Sequence, residues 1–157
     1  MLYDAIRRFV MKYYYITGIR RGLGKELSEF LPIVDTLEEC DIFINCKHNG
    51  FEQVEMLYKA VNLGKKVVNI GSYASDWLYH PEKKQAIYAV EKKALRDANS
   101  QLFDNGYNTT CLNFGYFDTE RSAHYQGKKM DLDYIIETIL WVIKQPYRVK
   151  ELTVSPE

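Results

Sequence analysis

The sequence predicts a single α/β domain built on a doubly wound parallel sheet. Three observations carry that prediction. Segments rich in Val, Ile and aromatic residues alternate with amphipathic helical segments from Lys12 to Val154, the pattern of strands joined by crossover helices. The first such strand runs directly into a glycine-rich turn, Thr17-Gly18-Ile19-Arg20-Arg21-Gly22-Leu23-Gly24, that opens a helix. A chain of 157 residues is long enough for one well-buried core and too short for two.

The elements follow in order. Leu2, Ile6, Phe9 and Val10 fall at helical spacing around Arg7 and Arg8, so residues 1–10 read as an amphipathic N-terminal extension. Met11-Lys12 would be a natural start for the domain proper, residues 11–157. Lys12 to Thr17 is dense in aromatic and β-branched residues and reads as the first strand. The helix that follows turns Leu27, Phe30 and Leu31 inward, leaves Lys25, Glu26 and Glu29 solvated, and is broken by Pro32. Ile33-Val34-Asp35 is at most one very short strand, and Thr36 to Glu39 at most one turn of helix. Asp41 to Cys46 is the next strand. Phe51 to Leu63 has helical periodicity and ends at Gly64, a natural C-cap.

Lys66 to Ile70 is a buried strand ending in Gly71-Ser72, followed by a polar loop with Trp77, Tyr79 and His80. Residues 82–105 read as one long helix with Ile87, Val90, Leu95 and Leu102 inward. Asn108 to Leu112 is a strand, and Glu120 to Met130 a polar connection. Asp131 to Lys144 is a final helix with Ile135, Ile139, Leu140, Trp141 and Ile143 mostly inward and Asp131 at its N-cap. Val149 to Val154 closes the sheet at about five strands.

Composition narrows the function classes. Lys plus Arg and Asp plus Glu are equal at 21 each, so no global field recruits nucleic acid or an anionic membrane. No apolar run reaches the ~20 residues of a membrane span and no signal-peptide pattern opens the chain, which sets the expectation of a cytoplasmic protein. Cys40, Cys46 and Cys111 are odd in number and lie in apolar strand contexts, which suits reduced, packed thiols. His48, His80 and His124 are too scattered to suggest a metal site.

Two motifs carry chemistry. In a turn spaced Gly-x-x-x-Gly-x-Gly, glycines let the backbone approach a diphosphate while the helix N-terminus directs free N–H groups at the anion; an ordinary strand-to-helix turn is the plain alternative. Tyr88 and Lys92 lie four apart on one helix face, where an ammonium favours phenolate and lowers the tyrosine pKa toward the working range of an acid–base catalyst. Ser72, at a strand's carboxyl end, would hydrogen-bond the same reacting oxygen. A tyrosine and a lysine at this spacing also arise by chance in a chain with 13 tyrosines.

Together these motifs resemble the short-chain dehydrogenase/reductase family. Thr17 to Gly24 matches its Thr-Gly-x-x-x-Gly-x-Gly loop, and Tyr88 with Lys92 its Tyr-x-x-x-Lys pair. Asp41-Ile42-Phe43-Ile44-Asn45-Cys46 resembles the strand that ends in Asn-Asn-Ala-Gly, with Cys46, Lys47 and His48 replacing the last three residues. Leu112 to Thr119 resembles the Asn-Pro-Gly-x-x-x-Thr segment, with Phe114 in place of proline. The resemblance covers nearly everything from Met11 onward and implies a Rossmann-like fold with NADP or NAD as cofactor.

By the same resemblance, hydride would pass between nicotinamide and a small carbonyl or alcohol substrate. Ser72, Tyr88, Lys92 and Asn49 would be catalytic, Asn49 holding a water of the proton relay, although a turn or helix cap explains Asn49 equally well. Thr17, Gly18, Arg20, Arg21, Gly22, Leu23, Gly24, Asn45, Tyr88, Lys92, Gly115, Phe117 and Thr119 would bind the cofactor. Arg20 and Arg21 stand where a 2'-phosphate would be read, a lean toward NADP, and are equally two solvent-facing arginines on a loop. A homodimer or homotetramer through the helices at 51–63 and 82–105 is implied as well.

The departure lies between Gly24 and Asp41, where the family runs about two more strands and helices. Much of the adenosine side is therefore missing, with Asp35 either a remnant of it or a surface aspartate. Loss of those strands exposes a sheet edge that Met1 to Val10 or a partner chain could cover. The shortening motivates a rival reading, a non-catalytic binding or assembly module with weakened cofactor affinity. Redox sensing or epimerisation of a nucleotide sugar is a third.

Overall fold

The computed structural model describes residues 12–76 and 86–156. Expectations for Met1 to Val10, for Trp77, Tyr79 and His80, and for the start of the 82–105 helix lie outside those residues. Five strands, β1 (Tyr14–Ile16), β2 (Ile42–Asn45), β3 (Lys66–Ser72), β4 (Thr109–Phe114) and β5 (Glu151–Val154), form one parallel sheet in the order β1-β2-β3-β4-β5. Between them run α1 (Gly22–Phe30), α2 (Glu52–Asn62), α3 (Ala86–Asp104) and α4 (Leu132–Lys144), with 3-10 turns at Tyr73–Asp76 and Glu120–Ser122.

Alternate strand residues divide the core into two layers, as the pleat requires. On one face Ile16, Ile44, Ile70 and Leu112 meet Leu23 and Leu27 of α1 and Ile135, Ile139 and Val142 of α4. On the other, Phe43 and Val67 meet Leu57 and Ala60 of α2 and Leu95 and Ala98 of α3. The expected α/β sheet is present with helices on both faces. Cys40, Cys46 and Cys111 are free thiols.

The shortened interval ends differently from an open edge. Tyr14 N–H donates to Pro32 O (3.0 Å) and Val34 N–H to Tyr14 O (2.9 Å), so a stub around Ile33 pairs in parallel on the outer side of β1. With the stub counted, chain order reverses at β1. The fold thus keeps the switch point where doubly wound sheets place ligands.

Several helix faces depart from the periodicity reading. Phe30, Ile87, Val90 and Trp141 are exposed, while Glu91, Lys92 and Asn99 are buried on α3. The face of α3 that meets the sheet combines apolar Leu95, Ala98 and Leu102 with Lys92 and Asn99, which join a hydrogen-bond network inside the fold. Asp131 occupies the N-cap of α4, but its carbonyl, not its side chain, receives the Ile135 N–H.

Candidate functional site

The carboxyl ends of β1, β2, β3 and β4 converge with the first turns of α3. Gly18 and Gly22 have φ of +76° and +64°, and a Cβ on Gly24 would lie 2.2 Å from Gly18 O. The loop is therefore folded onto the start of α1 as tightly as only glycine allows. No side chain caps α1, so its leading N–H groups stay open toward the loop. Arg20 and Arg21 are exposed, with no partner among the described residues. Leu23 is buried in the core, leaving only its backbone to face the loop. Thr17 does not face a ligand with its hydroxyl: Oγ1 accepts the N–H groups of Cys46 and Lys47, both at 3.0 Å, locking the glycine loop to the end of β2.

Asn45 also departs from the expected role. It is buried, and its Nδ2 donates to Gln53 O (2.8 Å) and Asn69 Oδ1 (2.9 Å). Asn69 Nδ2 continues to Asn99 Oδ1 and Thr109 Oγ1, both at 3.1 Å, and Asn99 Nδ2 reaches Lys150 O at 2.9 Å. Asn45 and Asn69 are direct partners in the β2–β3 register, so a polar chain crosses the interior of the sheet. Its outer end is Lys92, only 4% exposed, whose Nζ donates to Gln53 Oε1 (2.9 Å) and Ile70 O (3.0 Å). Burial lowers its pKa from 10.5 to about 8.

Tyr88 sits one turn before Lys92, 36% exposed, with Lys92 Nζ 5.8 Å from its ring centroid. Ser72 Oγ accepts the Ala74 N–H at 3.1 Å, and the Ser72 side chain lies close enough to the Tyr88 phenol to favour its ionised form. Ser72, Tyr88 and Lys92 are thus brought together. The expected lowering of the Tyr88 pKa is not found: desolvation raises it, with Ser72 and Arg121 opposing. The reason is geometric, because the Lys92 ammonium points to Gln53 and Ile70 below the ring, not at the phenol oxygen.

Asn49 is not part of this group. Its Nδ2 donates to Glu52 Oε2 at 2.9 Å and its carbonyl accepts the Glu52 N–H, so it forms the turn into α2, while Gln53 meets Lys92. Gly115 lies against Ser155 and Pro156, where a Cβ would approach to 2.7 Å; it admits the chain after β5. Phe117 packs edge-on against Phe114 at 5.9 Å. Thr119 N–H donates to Ser122 Oγ at 3.1 Å, fixing the short turn that carries Arg121. Tyr116 stacks on Tyr125 at 3.7 Å, and Met130 N–H donates to Tyr116 O, so the connection after β4 is folded on itself.

Sequence reasoning missed His48, Glu91, Gln53 and Arg121. The signal in the sequence was the presence of asparagines in otherwise apolar strands, Asn45 and Asn69, which mark a buried polar network without naming Gln53 as the partner of Lys92. Among the described residues no group of side chains is arranged to hold a metal, and no helix is long and apolar enough to cross a membrane. An open cavity of about 490 Å³ lies at the opposite, amino edge of the sheet between Lys12, Asp41 and Tyr107. It is remote from Tyr88 and lies outside the candidate site.

No protein-family model matches the chain, and no curated protein matches it by sequence. Solved structures do. A short-chain dehydrogenase from Burkholderia cenocepacia in complex with NADP superposes with a TM-score of 0.69 at 13% identity, covering 92% of this chain and 96% of that one. An alcohol dehydrogenase from Thermococcus sibiricus complexed with 5-hydroxy-NADP gives 0.67 at 18% identity, covering 91% and 95%. A 4-hydroxyisoleucine dehydrogenase complexed with NADH gives 0.65 at 15%, covering 92% and 96%. At these identities the likeness establishes the fold.

Proposed function

We propose that the protein is an oxidoreductase of the short-chain dehydrogenase/reductase type that binds a nicotinamide dinucleotide and interconverts a small carbonyl compound and its alcohol. The observation that carries this reading is the meeting of Ser72, the Tyr88 phenol and buried Lys92 at the same sheet edge as the Gly18–Gly24 loop.

The residues present fit a dinucleotide. The close approach at Gly24, the uncapped N-terminus of α1 and unpartnered Arg20 and Arg21 form a cradle suited to a diphosphate. The dinucleotide, when bound, supplies the hydride. Tyr88 then gives its phenolic proton to the substrate oxygen, which Ser72 orients by a second hydrogen bond. Lys92 holds positive charge beneath the Tyr88 ring and offers its remaining N–H to a bound hydroxyl. Thr17 acts through the backbone it bridges, not by contact.

Cofactor choice is read from two opposed features. Arg20 and Arg21 favour a 2'-phosphate, whereas Asp35, directly after the Ile33 stub on β1, stands where a carboxylate would accept a ribose hydroxyl and repel a phosphate. Because the stub sits beside β1, we assign NAD as the preferred cofactor, reversing the lean taken from the arginines alone. The exposed Ile87 and Val90 of α3 and Tyr58 of α2 suit contact with a second copy of the chain.

A second reading, a cofactor-free assembly module, is favoured by the engagement of Lys92 with two protein acceptors. Turnover separates the two. With NADH and a panel of aldehydes and ketones, wild-type protein should reduce at least one compound and Tyr88→Phe should lose at least a hundredfold in kcat. Equal rates in both proteins would overturn the assignment of Tyr88, and no turnover would favour the assembly module.

A further inference from the structure

Half-buried His48 and buried Glu91 form a pair set against Tyr88 that the chemistry above leaves without a role. His48 Nε2 lies 3.3 Å from Glu91 Oε2, yet neither buried atom has a hydrogen bond, because the pair is off the line a hydrogen bond needs. Glu91 is 8% exposed. The His48 ring meets Tyr88 edge to face, with centroids 4.8 Å apart and planes at 71°. Tyr88 therefore has Lys92 beneath its ring and His48 at its side, with Ser72 near the phenol.

Two unpaired buried atoms facing each other at this distance are an arrangement that one proton would complete. We propose that His48, held by Glu91, is a positioning residue for Tyr88: neutral, it walls the phenol ring; protonated, it closes onto Glu91 and leaves that wall. The charged and titratable groups facing His48 are Tyr88, Glu91 and Lys92 from α3 and Arg121 from the turn after β4. Lys47, its chain neighbour, is exposed. Burial, Lys92 and Arg121 hold the imidazole pKa below its usual 6.5, and only Glu91 opposes them. The wall is thus in place at neutral pH and withdrawn by acid. The step is uptake of one proton from solvent by the imidazole, with no other bond made or broken.

The proposal rests on Tyr88 as the proton donor, so its test includes a readout that does not need turnover. NMR of ring-labelled tyrosine and histidine follows Tyr88 and His48 from pH 4.5 to 8 in wild type, His48→Phe and Glu91→Gln. The expected result is an inflection of the Tyr88 resonance at the His48 midpoint below pH 6.5, shifted to lower pH in Glu91→Gln and absent in His48→Phe. In turnover assays kcat should fall on the acid side by about tenfold per pH unit in wild type, and that limb should vanish in His48→Phe, which keeps an aromatic ring against Tyr88. A Tyr88 resonance flat through the His48 titration, or an acid limb unchanged in His48→Phe, would overturn the proposal. An inflection without any turnover would support the coupling and count against the oxidoreductase reading alone. If His48→Phe does not fold, the Glu91→Gln displacement of the midpoint decides.

Discussion

Replacing Lys92 with methionine tests the buried charge at the inner end of the site. The ammonium is nearly water-free, and its pKa of about 8 against an ordinary 10.5 means that the charged form is disfavoured in the fold. At about 1.4 kcal/mol per tenfold change, that difference is about 3 kcal/mol. The sign follows from proton counting. Between pH 8 and 10.5 the unfolded chain binds the lysine proton and the folded chain does not, so this group adds stability as pH rises through that window.

Cys46 and Cys111, with thiol pKa values raised by burial to about 11 and 12, act in the opposite sense above pH 9. The informative quantity is therefore the difference between wild type and Lys92→Met, in which the thiols cancel to first order. Urea denaturation at intervals from pH 7 to 10.5 should show this difference moving by about 3 kcal/mol in favour of wild type as pH rises. Turnover, which needs the charged ammonium, should fall over the same range. A difference that stays flat, or moves toward the variant, would refute a buried, titrating Lys92.

Other expectations follow from single contacts. Gly24→Ala should destabilise the protein by about 2 kcal/mol or more and weaken dinucleotide binding, measured by thermal unfolding and calorimetry, because its Cβ meets Gly18 O at 2.2 Å. Asn69→Leu should cost about 2–4 kcal/mol in urea denaturation by cutting the polar chain between Asn45 and Asn99. Asp35→Ser should raise the NADPH-to-NADH affinity ratio at least tenfold in paired calorimetric titrations; an unchanged ratio removes Asp35 from cofactor choice.

The fold was legible because its information is carried by long apolar strands and glycine punctuation. Ile42 to Ile44, Val67 to Ile70 and the Thr17 to Gly24 turn admit few other structures. The trio Ser72, Tyr88 and Lys92 was legible because helical spacing alone brings two of them together. Other site features depend on three-dimensional closure. Phe30, Ile87, Val90 and Trp141 were expected inside because periodicity counts apolar residues, yet on α3 Lys92 and Asn99 turn inward to meet polar groups of the sheet and Glu91 is buried against His48. Asn49 and Gln53 lie one helical turn apart, and only the packed structure shows that Gln53 meets Lys92. The pairing of the Ile33 stub with β1 joins residues whose local sequence carries almost no strand signal.

On the function proposed above, a chain this short between Gly24 and Asp41 should still hold a dinucleotide above Tyr88. Calorimetric titration of the full chain with NADH tests it most directly. The expected result is one site per chain with a Kd on the order of micromolar, weakened at least tenfold in Gly24→Ala. Absence of binding heat up to millimolar NADH and NADPH, at two temperatures, would contradict it.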